Sequence, residues 1–435
     1  MKFAFYTLGC KVNQYETQAM QQILLAEGHT LGEFDEICDG YIINTCTVTA
    51  VSDKKSRNAI RRVRRLNPNA VIGVCGCYAQ TDPDEIRKLG VDVLAGTADR
   101  HAFISHVVLA AEKRQHWEKI EDNRFGQDFE ILPAGGLSAR TRALLKVEDG
   151  CNNFCSYCII PYARGRVRSM PLDAAVDEAK KLAAEGYHEI VINGIEISSW
   201  GQEWEDGPVL RDLLAALCQA VPSVRIRLGS LEPRTIDEAF CRVLAGFSNL
   251  CPQFHLSLQS GSDTVLRRMN RKYDTARYAE SVRLLHAYFS GCAVTTDLIV
   301  GFPGETEEEF EASLEFVRAC GLSKIHVFPY SRRAGTPAAK MPDQIPNAEK
   351  ERRAAEAAAV AAELEQKFHS SLIGTEQTVL FEQPEAGFFT GHAPNYVKIY
   401  VEAEDLHNQL HRVRITGLFR DGVLGEVCGE AEKSF

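Results

Sequence analysis

Three cysteines within eight residues, Cys151-Asn-Asn-Phe-Cys155-Ser-Tyr-Cys158, are the densest chemistry in the chain. Three thiolates on one loop can hold three irons of a [4Fe–4S] cube and leave the fourth iron without a protein ligand. An open metal position is where a small molecule can bind and react. Zinc is the alternative, but zinc takes four ligands, and no nearby His or Cys supplies the fourth cleanly. A second set is dispersed: Cys10, Cys46 and Cys77 each end an apolar run, FAFYTLGC, YIINTC and VIGVCGC. If those runs are parallel strands, the three thiols share the sheet edge where ligands bind, and they could converge on another cluster. Burial as small hydrophobes is the competing reading. Cys75 adds an ambiguity, because residues i and i+2 of one extended strand point the same way, so Cys75 could compete with Cys77.

The elements that must carry these residues follow from periodicity and turn signals. Strands are expected at 2–8, 40–44, 70–74 and 91–95, with helices at 14–27, 52–66, 82–89 and 101–112. That alternation predicts a parallel α/β sheet over an N-terminal unit, residues 1–115. A polar stretch at 118–136, with Pro133, Gly135 and Gly136, reads as a linker. Six further strands, at 144–147, 189–193, 224–228, 254–258, 294–300 and 324–328, predict a partial (β/α)6 barrel in a unit spanning 137–368. Cys151 follows the first of them. A long helix at 348–370, capped by Asn347, leads to a β-rich tail, 370–435, expected to be a small all-β barrel. Turn residues at four successive barrel strand ends fit a cofactor seat: Gly194 in Asn193-Gly194-Ile195-Glu196, Glu232 before Pro233, Ser260 before Gly261, and Gly301 in Gly301-Phe-Pro-Gly304. Each alone is an ordinary breaker signal.

Composition bounds the function class. The chain has 435 residues, 14 cysteines and a net charge of −10, which argues against indiscriminate coating of nucleic acid. No stretch approaches the roughly 20 apolar residues of a membrane span, and the first residues are too short an apolar run for a signal peptide. A cytoplasmic protein without a membrane partner is expected, where clustered cysteines point to metal or redox chemistry before disulfides. Against the overall charge, Lys54, Lys55, Arg57, Arg61, Arg62, Arg64 and Arg65 crowd one helix just after Cys46. Placed beside a candidate site, they suit phosphate contacts with RNA; a solvated helix face is the plainer reading. Arg267, Arg268, Arg271 and Lys272 would extend the patch.

The C-x3-C-x2-C spacing, with Tyr157 before the last cysteine, resembles the signature of the radical S-adenosylmethionine superfamily, as does Ile160-Pro161-Tyr-Ala-Arg164-Gly165-Arg166-Val-Arg168-Ser169. The resemblance implies that S-adenosylmethionine chelates the open iron and is cleaved to a 5′-deoxyadenosyl radical, with Tyr157, Gly194, Glu232, Ser260 and Gly301 around the cofactor. Around the dispersed cysteines, Thr7-Leu8-Gly9-Cys10-Lys11-Val12-Asn13-Gln14, Asn44-Thr45-Cys46-Thr47-Val48 and Gly76-Cys77-Tyr78-Ala79-Gln80 resemble the N-terminal domain of methylthiotransferases. That resemblance spans the whole chain, including a C-terminal domain of the TRAM type. It implies a second [4Fe–4S] cluster on Cys10, Cys46 and Cys77, and it selects Cys77 over Cys75.

Among methylthiotransferases, Gly9-Cys10-Lys11-Val12-Asn13-Gln14-Tyr15-Glu16 most resembles the type that acts on N6-threonylcarbamoyladenosine in tRNA, at position 37 beside the anticodon. Types acting on isopentenyladenosine or on a ribosomal-protein aspartate are the alternatives. A non-catalytic iron–sulfur RNA-binding protein is the rival from another class. The resemblance further implies reduced flavodoxin or ferredoxin as electron donor, and sulfide or persulfide as sulfur source. Arg332 and Arg333, at the end of the sixth barrel strand, are expected to bind the threonyl carboxylate through a planar guanidinium, with a structural arginine in a barrel-end loop as the alternative. The tail, with Lys398, Arg412, Arg414, Arg420 and Lys433 against ten acidic residues, is too acidic for a purely electrostatic grip on RNA.

Overall fold

The computed structural model describes residues 1–123, 128–136 and 141–430. Strands β1 (Lys2–Thr7), β2 (Thr30–Gly32), β3 (Gly40–Thr45), β4 (Val71–Gly76), β5 (Val93–Ala95) and β6 (Trp117–Lys119) form one parallel sheet in the order β2-β1-β3-β4-β5-β6. The central strands β3 and β4 are buried at every residue because helices cover both faces. Tyr41 and Ile43 pack with Ile60 and Val63 of the helix Ala50–Leu66 on one face. Ile42 and Val71 pack with Phe103 and Val107 of the helix Arg100–Lys113 on the other. The helix expected at 82–89 is found as Pro83–Arg87, and a separate turn of helix, Cys77–Thr81, precedes it, the two parted at Asp82, which precedes a proline and leaves the helical region.

The stretch read as a linker is part of the packed structure. Its first residues form the edge strand β6. Further on, Leu132 and Ala134 are buried, the Tyr15 hydroxyl donates to the Leu132 carbonyl at 2.6 Å, and Gln18 donates to the Gly135 carbonyl at 2.7 Å. Polar composition there reflects backbone groups satisfied by the helix Lys11–Ala26 rather than by water. The expected start of the central unit, residue 137, lies outside the described residues.

In the barrel, β7 (Arg142–Lys146), β10 (Glu189–Asn193) and β11 (Arg225–Leu228) form one parallel sheet. Strands β12 (Ser230–Leu231), β13 (Gln253–Leu256), β14 (Ala293–Val300) and β15 (Lys324–Pro329) form another, and β8 (Glu148–Asp149) pairs with β9 (Arg168–Ser169). The Ile226–Leu250 bridge joins the halves, so the six expected strands curve into an open barrel. The helix Asn347–Ser371 contributes Ala357, Val360 and Leu364 to the barrel core; Asn347 is its first helical residue, with Pro346 and not Asn347 at the cap position.

The tail is a closed five-stranded barrel of β16 (Glu376–Glu385), β17 (Phe388–His392), β18 (Lys398–Val401), β19 (Leu410–Phe419) and β20 (Gly422–Glu430) around Val379, Phe381, Ile399, Val413 and Val423. Lys433 lies outside the described residues. Arginines bolt this barrel to the central one. Arg225 donates to the Thr378 carbonyl at 2.6 Å, Arg227 to the Pro394 carbonyl at 2.8 Å, and Arg142 to the Tyr396 hydroxyl at 2.9 Å and Glu382 at 3.0 Å. No helix among the described residues is long and apolar enough to cross a membrane.

Candidate active site: two cysteine sets at one end of the barrel

Two glycines allow the dispersed cysteines to meet. Gly9, at φ +102°, lies so close to Cys46 that a Cβ would stand 2.8 Å from its Sγ. Gly76, at φ +99°, would place a Cβ 2.5 Å from the Thr45 carbonyl oxygen. Neither conformation nor space suits another residue. Asn13 ties the first two loops together, donating to the Leu8 carbonyl at 2.7 Å and the Thr45 carbonyl at 3.0 Å, while the Thr45 hydroxyl reaches the Cys75 carbonyl at 2.6 Å. The turn at Gly76 also separates Cys75 from Cys77. Cys75 ends in the core with Phe3, Ile42 and Phe103, its thiol pushed up to about 12 by burial, whereas Cys77 opens a new helix beside Arg164. The i, i+2 rule fails here because the backbone is not extended at the intervening residue.

The loop Cys151–Cys158 is stapled by residues 268–271. Ser156 donates to the Met269 carbonyl at 2.9 Å, Asn270 to the Phe154 carbonyl at 2.9 Å, and Arg271 Nη1 lies 3.1 Å from Cys155 Sγ. Arg271 is therefore a sulfur-directed donor within the site and not part of a surface patch. Arg268 is likewise spent, on Glu309 at 2.5 Å. The two cysteine sets are neighbours: the helix Cys77–Thr81 packs on the helix Ile160–Arg164 that follows Cys158. Burial drives the thiol pKa values upward first, Cys158 to about 12, so the thiols become ligands only beside strong positive charge.

That charge is partly built in. Glu16 accepts from Arg100 at 3.0 Å, Lys146 at 3.2 Å and Arg164 at 2.5 Å; Asp149 pairs with Lys146, Arg164 and Arg168. All six side chains are buried, and they join the N-terminal sheet unit to the barrel. Burial would raise both carboxyls, but the surrounding cations outweigh it and hold both far below the ordinary range. Four cations face two carboxylates, and Arg164 turns the excess toward Cys77. A buried positive excess beside thiols is the environment a thiolate-ligated, net-anionic cluster requires. All fourteen cysteines are free. Among the described residues no three His, Cys, Asp or Glu side chains converge tightly enough for a single ion; a cube asks less, since each thiolate takes a different iron. The donor sets fit two clusters.

A cavity of about 810 Å³ opens from this end of the barrel, with Cys10, Lys11, Asn193 and Gly194 on one wall and Tyr396 and Lys398 of the C-terminal barrel on another. Of the residues expected around S-adenosylmethionine, Gly194 lines it. Tyr157 packs beside Val265, Met269 and Phe302. Glu232 holds Arg234 at 3.0 Å, Ser260 is buried 3.3 Å from Ser313 Oγ, and Gly301 faces Lys350, where a Cβ would come within 2.5 Å. Arg333, expected at the threonyl carboxylate, does not line this cavity, and its guanidinium binds Asp53, Thr47 and Asp82. Arg332 donates to the Ala339 carbonyl at 2.8 Å and does not line the cavity either.

The basic helix divides. Arg64 folds inward onto Asp92 at 2.8 Å, Arg57 reaches the Tyr78 hydroxyl at 2.6 Å, and Arg62 pairs with Asp35. Lys54, Lys55, Arg61 and Arg65 are exposed, and Lys55, Arg61, Arg62 and Arg65 flank a cleft of about 500 Å³ that also holds Tyr6 and Phe34.

The open barrel with a cysteine loop after its first strand defines a radical S-adenosylmethionine fold. The model for the radical SAM superfamily matches residues 145–317, and the model described as uncharacterized protein family UPF0004 matches residues 2–96. The chain is 41% identical to the threonylcarbamoyladenosine tRNA methylthiotransferase MtaB of Bacillus subtilis, over 95% of this chain and 93% of that protein. It is 35% identical to the protein of that name from Thermotoga maritima, over 96% and 95%. Among solved structures, the radical S-adenosylmethionine methyltransferase TsrM of Kitasatospora setae shares the fold, with a TM-score of 0.59 at 16% identity over 83% of this chain and 89% of that one. The chain belongs to the radical S-adenosylmethionine methylthiotransferase family, whose cofactors are S-adenosylmethionine and two [4Fe–4S] clusters.

Proposed function

We propose that this enzyme converts N6-threonylcarbamoyladenosine in tRNA to its 2-methylthio derivative. The observation that carries the reading is the meeting of the two cysteine sets, where the helix opened by Cys77 packs on the helix that follows Cys158, at one end of a cavity that Cys10 also lines. Near full-length similarity to two proteins of that named activity supports the substrate. When bound, the clusters and S-adenosylmethionine supply a radical able to take hydrogen from adenine C2 and a sulfur to replace it.

The chain's own residues do the placing. Gly9, Asn13 and Gly76 draw Cys10, Cys46 and Cys77 together. Arg271 donates to Cys155, and Arg164 ties Cys77 to the buried ion network. Gly194 lines the cavity where S-adenosylmethionine would approach, and its missing side chain makes room for Glu148 and Ile197 behind that wall. The cleft on the helix Ala50–Leu66 would take phosphates of the anticodon stem through Lys55, Arg61 and Arg65. In this reading the three units, 1–115, 137–368 and 370–435, carry the sulfur-donating cluster, the radical and the far cavity wall. Reduced flavodoxin or ferredoxin would supply the electron, and sulfide or persulfide the sulfur.

The test is anaerobic reconstitution with reductant, S-adenosylmethionine, sulfide and tRNA bearing threonylcarbamoyladenosine, in parallel with tRNA bearing isopentenyladenosine, followed by nucleoside mass spectrometry. A methylthio mass gain in the first reaction alone is expected. Gain in the second alone would overturn the substrate. No 5′-deoxyadenosine in either would favour a non-catalytic RNA-binding protein.

A further inference from the structure

We propose that Lys11 is the specificity residue for this substrate, binding the free carboxylate of the threonylcarbamoyl group inside the cavity; the inference rests on the proposed substrate. Four lysine and arginine side chains line the cavity: Lys11, Arg227, Lys324 and Lys398. Arg227 grips Glu189 through two bonds at 2.6 and 2.9 Å, Lys324 pairs with Glu365 at 2.8 Å, and Lys398 pairs with Glu385 at 2.8 Å. Among the described residues Lys11 alone of the four has no carboxylate partner; its acidic neighbour Glu189 is already held by Arg227 and Arg225. Lys11 is exposed on that wall, so its ammonium is open to an anionic ligand where the other three cations are already matched.

A second observation points the same way. The Asn193 side chain, 4% exposed and on the same cavity wall, has a donor nitrogen with no partner. A buried donor without a protein partner on a cavity wall is free to reach a ligand there. Position decides which anion. Cys10 and Lys11 are consecutive and both line the cavity, so the cation sits next to a proposed ligand of the sulfur-bearing cluster. In adenine only N1 separates C2 from the carbon that bears N6, so a group on N6 hangs beside the carbon that must meet the sulfur. A carboxylate on that group comes within reach of a cation adjoining Cys10, whereas Arg332 and Arg333 do not line the cavity. An isopentenyl group carries no charge and gives Lys11 nothing to bind.

The test compares an anticodon stem-loop carrying threonylcarbamoyladenosine with the same RNA in which the threonyl carboxyl is a neutral carboxamide. Methylthio product, 5′-deoxyadenosine and bound iron are measured for the wild type, Lys11→Met, Lys11→Gln and Lys11→Arg. Wild type is expected to favour the acid by about 10- to 100-fold, the range of one charge-assisted contact. The preference should collapse to within about 3-fold in Lys11→Met and Lys11→Gln and be largely restored in Lys11→Arg. Equal use of acid and amide by the wild type would overturn the inference while leaving the proposed reaction standing, and needs no variant. A preserved preference in an iron-replete Lys11→Met or Lys11→Gln would overturn it too. No product from wild type on either RNA would overturn the proposed substrate, and the inference with it.

Discussion

Replacing Glu16 by glutamine tests whether the buried ion network holds the two cluster-bearing units together. The side chain is 1% exposed and accepts from Arg100, Lys146 and Arg164, one cation from its own unit and two from the barrel. Glutamine keeps the volume but removes the charge, and it turns a donor toward cations that need acceptors. Removing one partner from a buried pair typically costs about 3–5 kcal/mol, because the remaining charge stays desolvated. At roughly 2–4 °C per kcal/mol for a domain of 150–250 residues, the melting temperature should fall by about 6–20 °C. The assay is differential scanning fluorimetry of the reconstituted protein, with limited proteolysis at 118–136, where the loosened contacts of Leu132 and Gly135 should expose new cleavage. Glu85→Gln, which breaks an exposed pair with Lys88, is the control and should shift nothing measurable. A Glu16→Gln protein melting within about 2 °C of wild type with an unchanged digest would refute the reasoning, and would mean that Asp149 alone balances the network.

Three further outcomes are expected. Gly76→Ala forces a side chain onto a backbone at φ +99° and against the Thr45 carbonyl, so bound iron should drop from about eight to about four atoms per chain; colorimetric iron analysis checks this. Arg271→Ala deletes the hydrogen bond to Cys155 Sγ, and the more electron-rich sulfur should move the potential of that cluster to more negative values in a redox titration followed by electron paramagnetic resonance. Burial would raise the Glu189 carboxyl, but Arg227 and then Arg225 pull it down to about 2, against an unfolded value of about 4.3. Its contribution to stability is thus complete above about pH 4.3 and is lost as pH falls toward 2. Urea midpoints should hold from pH 7 to 5.5 and drop between pH 4 and 2.5, with a flatter drop in Glu189→Gln.

The layout of the cysteines was legible because their signals are local. The C-x3-C-x2-C loop needs no tertiary information, and Cys10, Cys46 and Cys77 each follow an apolar run ending in turn residues. The parallel strands were readable for the same reason, buried runs such as Gly40–Thr45 carrying consecutive apolar residues at Tyr41, Ile42 and Ile43. The charged residues misled. Arg64, Arg268, Arg271 and Arg333 look alike in sequence, yet burial sends each to a different internal partner. Nothing near Glu16 in the chain announces Lys146 or Arg164, because that pairing exists only once two units dock. The individual strands of the tail were harder to bound, since Gly391 in β17 and Gly425 in β20 are breaker residues by type although tight packing demands them: a Cβ on Gly391 would fall 2.4 Å from the Leu380 carbonyl oxygen. Lys11 stood in a quoted motif with no role, since its lack of a partner is visible only when the other cavity cations are seen to be matched.

Arg225 and Arg227 lie on a strand of the central barrel, yet they spend hydrogen bonds on carbonyls of the C-terminal one. A tail moored through backbone oxygens cannot swing outward to catch RNA and then return. It travels with the barrel, and its Tyr396 and Lys398 are masonry of the cavity as much as parts of a separate module. Exchange of tails between relatives should therefore behave as surgery on the active site. A graft lacking the matching turn at Ala393 and Pro394 would strip Arg227 of its two carbonyl acceptors there and leave one side of the cavity missing, so turnover would fail even where RNA binding survived.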